Sequence, residues 1–248
     1  MRYLLLSDVH SNLEALDACL QVAEGKYETA VCLGDIVGYG PNPNEVIEKI
    51  RHVCRAVIRG NHDKASCGIE DAHDFNPNAR IAAEFTRQLL SPDHLEYLRQ
   101  LPSGPAIFDG FMVVHGSPRD EDEYIVSSAE ALAFLRSPEA QVVCFGHTHL
   151  QGGFMLSAAG RLLSVQFLRP QDDAARRVPL ENGARYLINP GSVGQPRDHD
   201  WRAAFAILDT GLSQVEFHRT AYDVALTQAK MEQAGLPPPL YHRLSVGR

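Results

Sequence analysis

Short apolar runs that stop abruptly in a polar cluster recur along the chain. Tyr3-Leu4-Leu5-Leu6 runs into Ser7-Asp8-Val9-His10, Ala30-Val31-Cys32-Leu33 into Gly34-Asp35, and Ala56-Val57-Ile58 through Arg59 into Gly60-Asn61-His62-Asp63. Further on, Phe111-Met112-Val113-Val114 meets His115-Gly116, and Val142-Val143-Cys144-Phe145 meets Gly146-His147-Thr148-His149. Tyr186-Leu187-Ile188 ends in Asn189-Pro190-Gly191-Ser192. Runs this short, rich in Val, Ile and Leu and stopped by Gly or Pro, predict buried strands.

Helical spacing fills the gaps. Ser11-Asn12-Leu13-Glu14 fits a capping box, and the helix it opens is expected to run until Gly25. Asn42-Pro43-Asn44-Glu45 places a cap residue before Pro at the first helical position. Helices are also predicted over 79–90, 92–100, 127–136 and 221–234, the last stopped by Gly235 and the run Pro237-Pro238-Pro239. Segments 154–168 and 203–217 read as hairpins turning at Ala159-Gly160 and Thr210-Gly211, and 169–183 as a polar surface loop. Strands alternating with helices in the first half predict α/β layers. At roughly 100–200 residues per domain, 248 residues allow one large domain or two small ones. No linker divides the chain. A single domain over 1–248 is expected, with metal-type motifs in 8–149 and C-terminal hairpins and a helix in 150–248.

Charge narrows the partners. Lys plus Arg is 23 against 31 Asp plus Glu, a net charge of −8 that argues against a grip on duplex nucleic acid or an anionic membrane. Apolar runs such as 142–145 are far below the ~20 residues of a membrane span. Met1-Arg2 leads to Asp8 almost at once, so no signal peptide is expected. The five cysteines are odd in number and form no Cys-x-x-Cys, which fits reduced buried thiols and a cytoplasmic location.

The chemistry is in the polar clusters. In open α/β sheets, ligands bind beyond the carboxyl ends of the strands. If these strands share a direction, Asp8, His10, Asp35, Asn61, His62, His115, His147 and His149 converge on one site. Carboxylate, imidazole and amide oxygen suit a borderline or hard divalent cation, and no thiolate is present for a Cys-type structural zinc. His147 and His149 are two apart, so an extended segment puts both on one side. Each piece alone has a plain reading as a turn or a helix entry. The order of five strand ends carrying metal-type ligands favours a metal site.

These motifs, Asp8-x-His10, Gly34-Asp35, Gly60-Asn61-His62-Asp63, His115 and Gly146-His147-x-His149, resemble the five motifs of the calcineurin-like metallophosphoesterases. Gly38-Tyr39-Gly40-Pro41-x-Pro43-Asn44-Glu45, His115-Gly116-Ser117-Pro118-Arg119-Asp120 and the stretch from Asn189-Pro190-Gly191-Ser192 to Pro196-Arg197-Asp198 resemble a compact prokaryotic branch. That branch is grouped loosely with Ser/Thr phosphatases and diadenosine tetraphosphatases. The resemblance implies a four-layer α/β/β/α sandwich of two mixed sheets. It implies one divalent cation on Asp8, His10 and His149, a second on Asn61, His115 and His147, and Asp35 bridging both. Mn is favoured among Mn, Fe, Zn, Ni, Co and Mg. The implied activity is hydrolysis of a phosphodiester or phosphomonoester by in-line attack of a metal-bridging hydroxide, with cations about 3.5–4 Å apart.

The resemblance makes His62 the proton donor to the leaving oxygen, a task its ordinary pKa near 6.5 suits. Asp63 either orients that ring or caps the next turn. Arg119 and Arg197, each in a Pro-Arg-Asp triplet, are either guanidinium forks for phosphate or loop-stiffening partners of Asp, with Arg197 the better candidate. Tyr39 either stacks on a substrate base or packs its loop, with packing favoured. His73, Phe75 and Asn76 follow the Gly-Asn-His-Asp loop, where substrate contact is the lesser reading. The expected partner is a small phosphorylated substrate, nucleotides included. The competing readings are a protein phosphatase or dinucleoside polyphosphate hydrolase, and a non-catalytic scaffold that keeps the fold.

Overall fold

Tyr3 and Leu5 face one way from their strand, Leu4 and Leu6 the other, and all four are buried. A strand buried on both faces needs a layer on each side. The computed structural model, which describes residues 1–136, 140–165 and 175–248, supplies both layers. The chain opens with β1 (Arg2–Leu6), α1 (Leu13–Ala23), β2 (Thr29–Cys32), α2 (Pro43–Val53), β3 (Cys54–Val57) and α3 (Asn61–Cys67). Then come α4 (Pro77–Leu89), α5 (Pro92–Gln100), β4 (Ala106–Phe108), β5 (Phe111–Val113), α6 (Ser128–Leu135) and β6 (Val142–Cys144). It continues with β7 (Gly152–Leu156), β8 (Leu162–Val165), β9 (Ala175–Pro179), β10 (Arg185–Asn189), β11 (Ala203–Asp209), β12 (Gln214–Thr220), α7 (Val224–Gln233) and α8 (Pro238–His242).

Two six-stranded sheets result, in the orders β3-β2-β1-β11-β12-β9 and β4-β5-β6-β10-β7-β8. Both are mixed. β1, β2 and β3 are parallel, as are β5, β6 and β10, while β11 and β7 run antiparallel to their neighbours. Tyr3, Leu5, Val31 and Phe217 of the first sheet meet Phe111, Val113, Tyr186 and Ile188 of the second in one core. The outer faces are covered by helices. Leu4, Leu6 and Cys32 pack against Leu16 and Cys19 of α1 and Ile47 and Ile50 of α2, and Met112, Val143 and Leu187 against Ala131 and Phe134 of α6. This is the expected α/β/β/α sandwich. The parallel strands matter most, because each trio delivers its loops to the same end.

Local differences from the sequence reading have physical causes. Asn12, not Ser11, caps α1: its Oδ1 accepts from the Ala15 amide at 3.2 Å. Ser11 is held in the site loop instead, with φ 53°, and Glu14 turns to Thr227 and Lys230 of α7 rather than to the cap. The loop expected over 169–183 contains β9, which pairs with β12 at the sheet edge. Its exposed face carries Arg177, 2.9 Å from Glu216, so the strand has no apolar alternation to betray it. Residues 166–168 of the expected hairpin and 169–174 of that loop lie outside the described residues. Pro237-Pro238-Pro239 does stop α7, but Pro238 then opens α8, where its missing N–H costs nothing. All five cysteines are free, and no helix among the described residues is long and apolar enough to cross a membrane.

The inter-sheet core makes a stability prediction. Phe217→Ala should cost about 3–5 kcal/mol in urea unfolding, whereas Arg177→Ala on the edge strand should stay within about 0.5 kcal/mol. Equal effects would contradict the placement of the core.

Candidate metal centre

The loops that follow β1, β2 and β6 hold unusual backbone. Asp8, His10, Asp35, His147 and His149 have φ of 52°, 49°, 51°, 64° and 60°. The left-handed region costs a non-glycine residue about 1–3 kcal/mol and persists only where its surroundings enforce it. Here the loops are laced together. The Asp8 amide donates to Gly34 O at 3.1 Å and the His10 amide to Asp35 O at 3.0 Å. Gly146 N donates to His115 O at 2.8 Å and Gly194 N to Asp8 O at 2.9 Å. Gly60 is there for close approach: a Cβ at that position would collide with the Asp35 carboxylate.

This lacing brings the side chains of both sheets to one point. The ligand-type atoms of Asp8, His10, Asp35 and His149 lie within 4.8 Å of one another, and so do those of Asp35, His115 and His147. Asp35 belongs to both groups. Its Oδ2 is 3.6 Å from His10 Nε2 and 3.4 Å from His115 Nε2. His149 Nε2 is 3.4 Å from Asp8 Oδ1. Asn61, the first residue of α3, adds a buried amide oxygen.

The donor set fits divalent cations on two grounds. Oδ2 of Asp8, Oδ2 of Asp35, Oδ1 of Asn61 and Nε2 of His115 are buried and lack any hydrogen-bond partner, a condition that normally costs 1–3 kcal/mol or more per group. Each histidine also gives its other ring nitrogen to a backbone carbonyl. His10 Nδ1 is 3.1 Å from Val37 O, His115 Nδ1 2.8 Å from Leu33 O, His149 Nδ1 2.6 Å from Gln195 O and His147 Nε2 3.1 Å from Asp122 O. A carbonyl can only accept, so each of these nitrogens carries the proton, and in a neutral ring the other offers a lone pair. His10 and His149 thus face each other with Nε2 atoms 3.1 Å apart. Two lone pairs so placed call for a cation.

Burial sets the protonation states. It holds His10 and His149 well below the ordinary imidazole value and takes His147 down to about 3 and His62 to about 4. Burial also lifts Asp8 to about 6 and Asp63 to about 7. His115 and Asp35 are the exception. Burial disfavours both charges, but the attraction between them across 3.4 Å prevails, raising His115 to about 10 and holding Asp35 well below the carboxylate range. The pair therefore holds one proton at neutral pH.

The other sequence candidates divide. His62 lines a cleft of about 290 Å³ next to the ligand groups, with Tyr39, Asn61, Phe75, Tyr124 and His147. Its ring lies 4.3 Å from that of Tyr39 and 4.6 Å from that of Phe75. Asp63 does not orient it: the Asp63 oxygens accept from the amides of Gly60 at 2.9 Å and Val37 at 3.1 Å, the capping alternative. Arg197 adjoins the site, its Nη2 3.1 Å from Gln195 Oε1 and 3.5 Å from Tyr39 Oη, with its Nε buried and unpartnered. Arg119 is not brought in. Its side chain is 68% exposed, 4.0 Å from Glu123, and lies over Phe134. Asn76 lines the cleft, and His73 stands outside it, exposed beside Asp71. Sequence reasoning missed Asp122 and Tyr124. Asp122 acts on His147 through its carbonyl, which no residue type signals. The Tyr124 ring covers that of His147 at 3.9 Å, and only its position just past the His115 motif hinted at a role.

The geometry predicts proton release. A cation held by His115 would need its Nε2 lone pair, so at pH 7 binding there should expel about one proton, and affinity should rise with pH until the raised His115 value is passed. Calorimetric Mn²⁺ titrations in buffers of different ionisation heat check this. Buffer-independent heats would contradict it.

Comparison with known proteins agrees with the geometry. Residues 1–212 match the calcineurin-like phosphoesterase superfamily domain. A solved metallophosphoesterase from Sphaerobacter thermophilus is 39% identical with a TM-score of 0.85, covering 100% of this chain and 99% of that one. An uncharacterized protein of Methanocaldococcus jannaschii is 34% identical over 256 residues, 98% of this chain and 97% of that protein. A hypothetical protein from Pyrococcus horikoshii OT3, 23% identical with a TM-score of 0.79 over 100% of this chain and 98% of that one, shares the fold.

Proposed function

We propose that this chain, which belongs to the calcineurin-like phosphoesterase superfamily, hydrolyses small phosphoric esters with the help of two divalent cations, Mn²⁺ favoured. The observation that carries the reading is the Asp35 carboxylate, buried, shared by both ligand groups and left with one oxygen unpartnered. Asp8, His10 and His149 would hold one cation and Asn61, His115 and His147 the other, with Asp35 common to both. Bound there, the cations would supply Lewis-acid activation of the phosphoryl group and of a water nucleophile.

The chain's own residues do the rest. Asn61 contributes a neutral oxygen where a third carboxylate would cancel the charge that attracts a phosphate. The His62 backbone amide donates to Asp35 Oδ1 at 2.8 Å, which fixes the start of α3 against the site. The His62 ring donates a proton to the leaving oxygen. Burial, with Arg197 and His115 adding to it, pushes that ring to about 4, below the value that suits a proton donor at neutral pH. A phosphate anion in the cleft raises it again, since a nearby negative charge favours the imidazolium. Substrate binding and protonation of His62 are therefore coupled. The unpartnered Nε of Arg197 offers that anion a further donor.

The cleft favours a small substrate. Phe75 and Tyr124 offer ring surface to a flat leaving group, whereas Tyr39, almost fully buried against His10 and His62, packs its loop. Glu70, Asp71, Asp74 and Asp122 line the same cleft, which disfavours a long polyanion such as a nucleic-acid strand.

The test is turnover of bis-p-nitrophenyl phosphate and p-nitrophenyl phosphate by Mn²⁺-loaded protein. Asp35→Asn should abolish both activities. His62→Ala should lower kcat about 10²–10⁴-fold for an alkyl ester and far less for p-nitrophenol, which leaves without a proton. Absence of turnover on either ester with Mn²⁺, Zn²⁺, Ni²⁺ and Mg²⁺ would contradict the reading.

A further inference from the structure

Lys64 carries a charge, yet its side chain is only 2% exposed. It lies on α3, two residues after His62 and three after Asn61. Its ammonium is 2.7 Å from Asp122 Oδ2, 3.0 Å from Glu70 Oε2 and 3.1 Å from Glu121 Oε1. An ammonium has three N–H donors, and here three carboxylates take them. Glu121 is further held by Arg59, with contacts of 3.0 and 3.2 Å. None of the steps above uses this lysine.

What its partners touch gives it a role. Asp122 carries the carbonyl that accepts from His147 Nε2 at 3.1 Å, and Tyr124, two residues on, covers the same ring. Asp122 and Tyr124 line the cleft, and so do Asn61, His62, Ala65 and Glu70. These lining residues come from different sheets, α3 following β3 and the 116–124 segment following β5. We propose that Lys64 is a positioning residue that ties the 116–124 segment to α3 and so sets the ring of His147, in the second ligand group, and the width of the cleft. Loss of the ammonium would leave Glu70, Glu121 and Asp122 close together, with Arg59 their one remaining ion-pair partner among the described residues. Their repulsion would drive the segment outward and take the Asp122 carbonyl from His147. Among the described residues, no hydrogen bond or ion pair joins Asp8, His10 or His149 to Lys64, Glu70, Glu121 or Asp122, and Asp8 meets His147 only through the backbone amide, at 3.1 Å, so the cation of that group should be held as before.

For the metals, this inference rests on the reading under Proposed function; the tether itself does not. The test compares wild type, Lys64→Met, Asp122→Ala and Asp122→Asn by amide hydrogen exchange and by calorimetric Mn²⁺ titration. The Asp122 side chain is 45% exposed, so its variants keep the test valid even if Lys64→Met does not fold. Every variant retains the residue-122 carbonyl. Asp122→Ala and Lys64→Met should exchange faster over 117–124 and bind the second cation about 10–100-fold more weakly, the range for lost partners of a ligand, with the first cation unchanged. Asp122→Asn keeps an acceptor for the ammonium and should lie near wild type. Exchange over 117–124 that stays at the wild-type rate overturns the tether. Faster exchange with both affinities unchanged overturns its action on His147. If wild type takes up no Mn²⁺, the dimetal reading fails, together with the effect on the second cation, while exchange still decides the tether.

Discussion

A carboxylate buried between two histidine rings with one oxygen unpartnered is the constraint on which this structure turns. Asp35 Oδ1 accepts from the His62 amide in the first turn of α3, which leaves Oδ2 between His10 and His115. A charge removed from water is expensive unless opposite charge meets it. In the protein alone, the proton on His115 answers that need. Two cations would answer it more fully and would engage Asp8, Asn61, His10 and His149 at the same time. The site is thus an electrostatic deficit held in place by the fold.

Holding it requires rigidity from elsewhere. Five residues with metal-type side chains sit in left-handed backbone, an arrangement that relaxes unless hydrogen bonds between loops prevent it. Those bonds exist because β1, β2 and β3 end together in one sheet and β5, β6 and β10 end together in the other. The packed core between the sheets fixes one set of strand ends against the other. Burial on folding therefore supports strain at the site, and the ties across it, from the Asn189–Gly194 loop to Lys64, complete the frame.

Much of this was legible in the sequence, for a physical reason. A buried strand advertises itself as an apolar run, and ligands at its end interrupt that run with residue types that have no business in a core. Hence Asp8, His10, Asp35, Asn61, His115, His147 and His149 could be grouped before their distances were known. What stayed hidden lacks such a signature. β9 is a largely exposed edge strand with two adjacent arginines and no apolar alternation. The Asp122 carbonyl contributes no side-chain type. The pKa of His62 depends on burial, which a short motif does not report. Arg119 and Arg197 stand in identical Pro-Arg-Asp triplets, and only the chain path separates the one beside the site from the one on the surface. Asp63 shows the same limit, since its carboxylate serves the backbone of its own loop rather than the ring next door.

The central claim is that Asp35 is shared by two cations. Anomalous diffraction at the manganese edge from crystals grown with Mn²⁺ tests it most directly. The account predicts two peaks, one among Asp8, His10 and His149 and one among Asn61, His115 and His147, both in contact with Asp35. A single peak, or two that leave Asp35 without a metal contact, would contradict it.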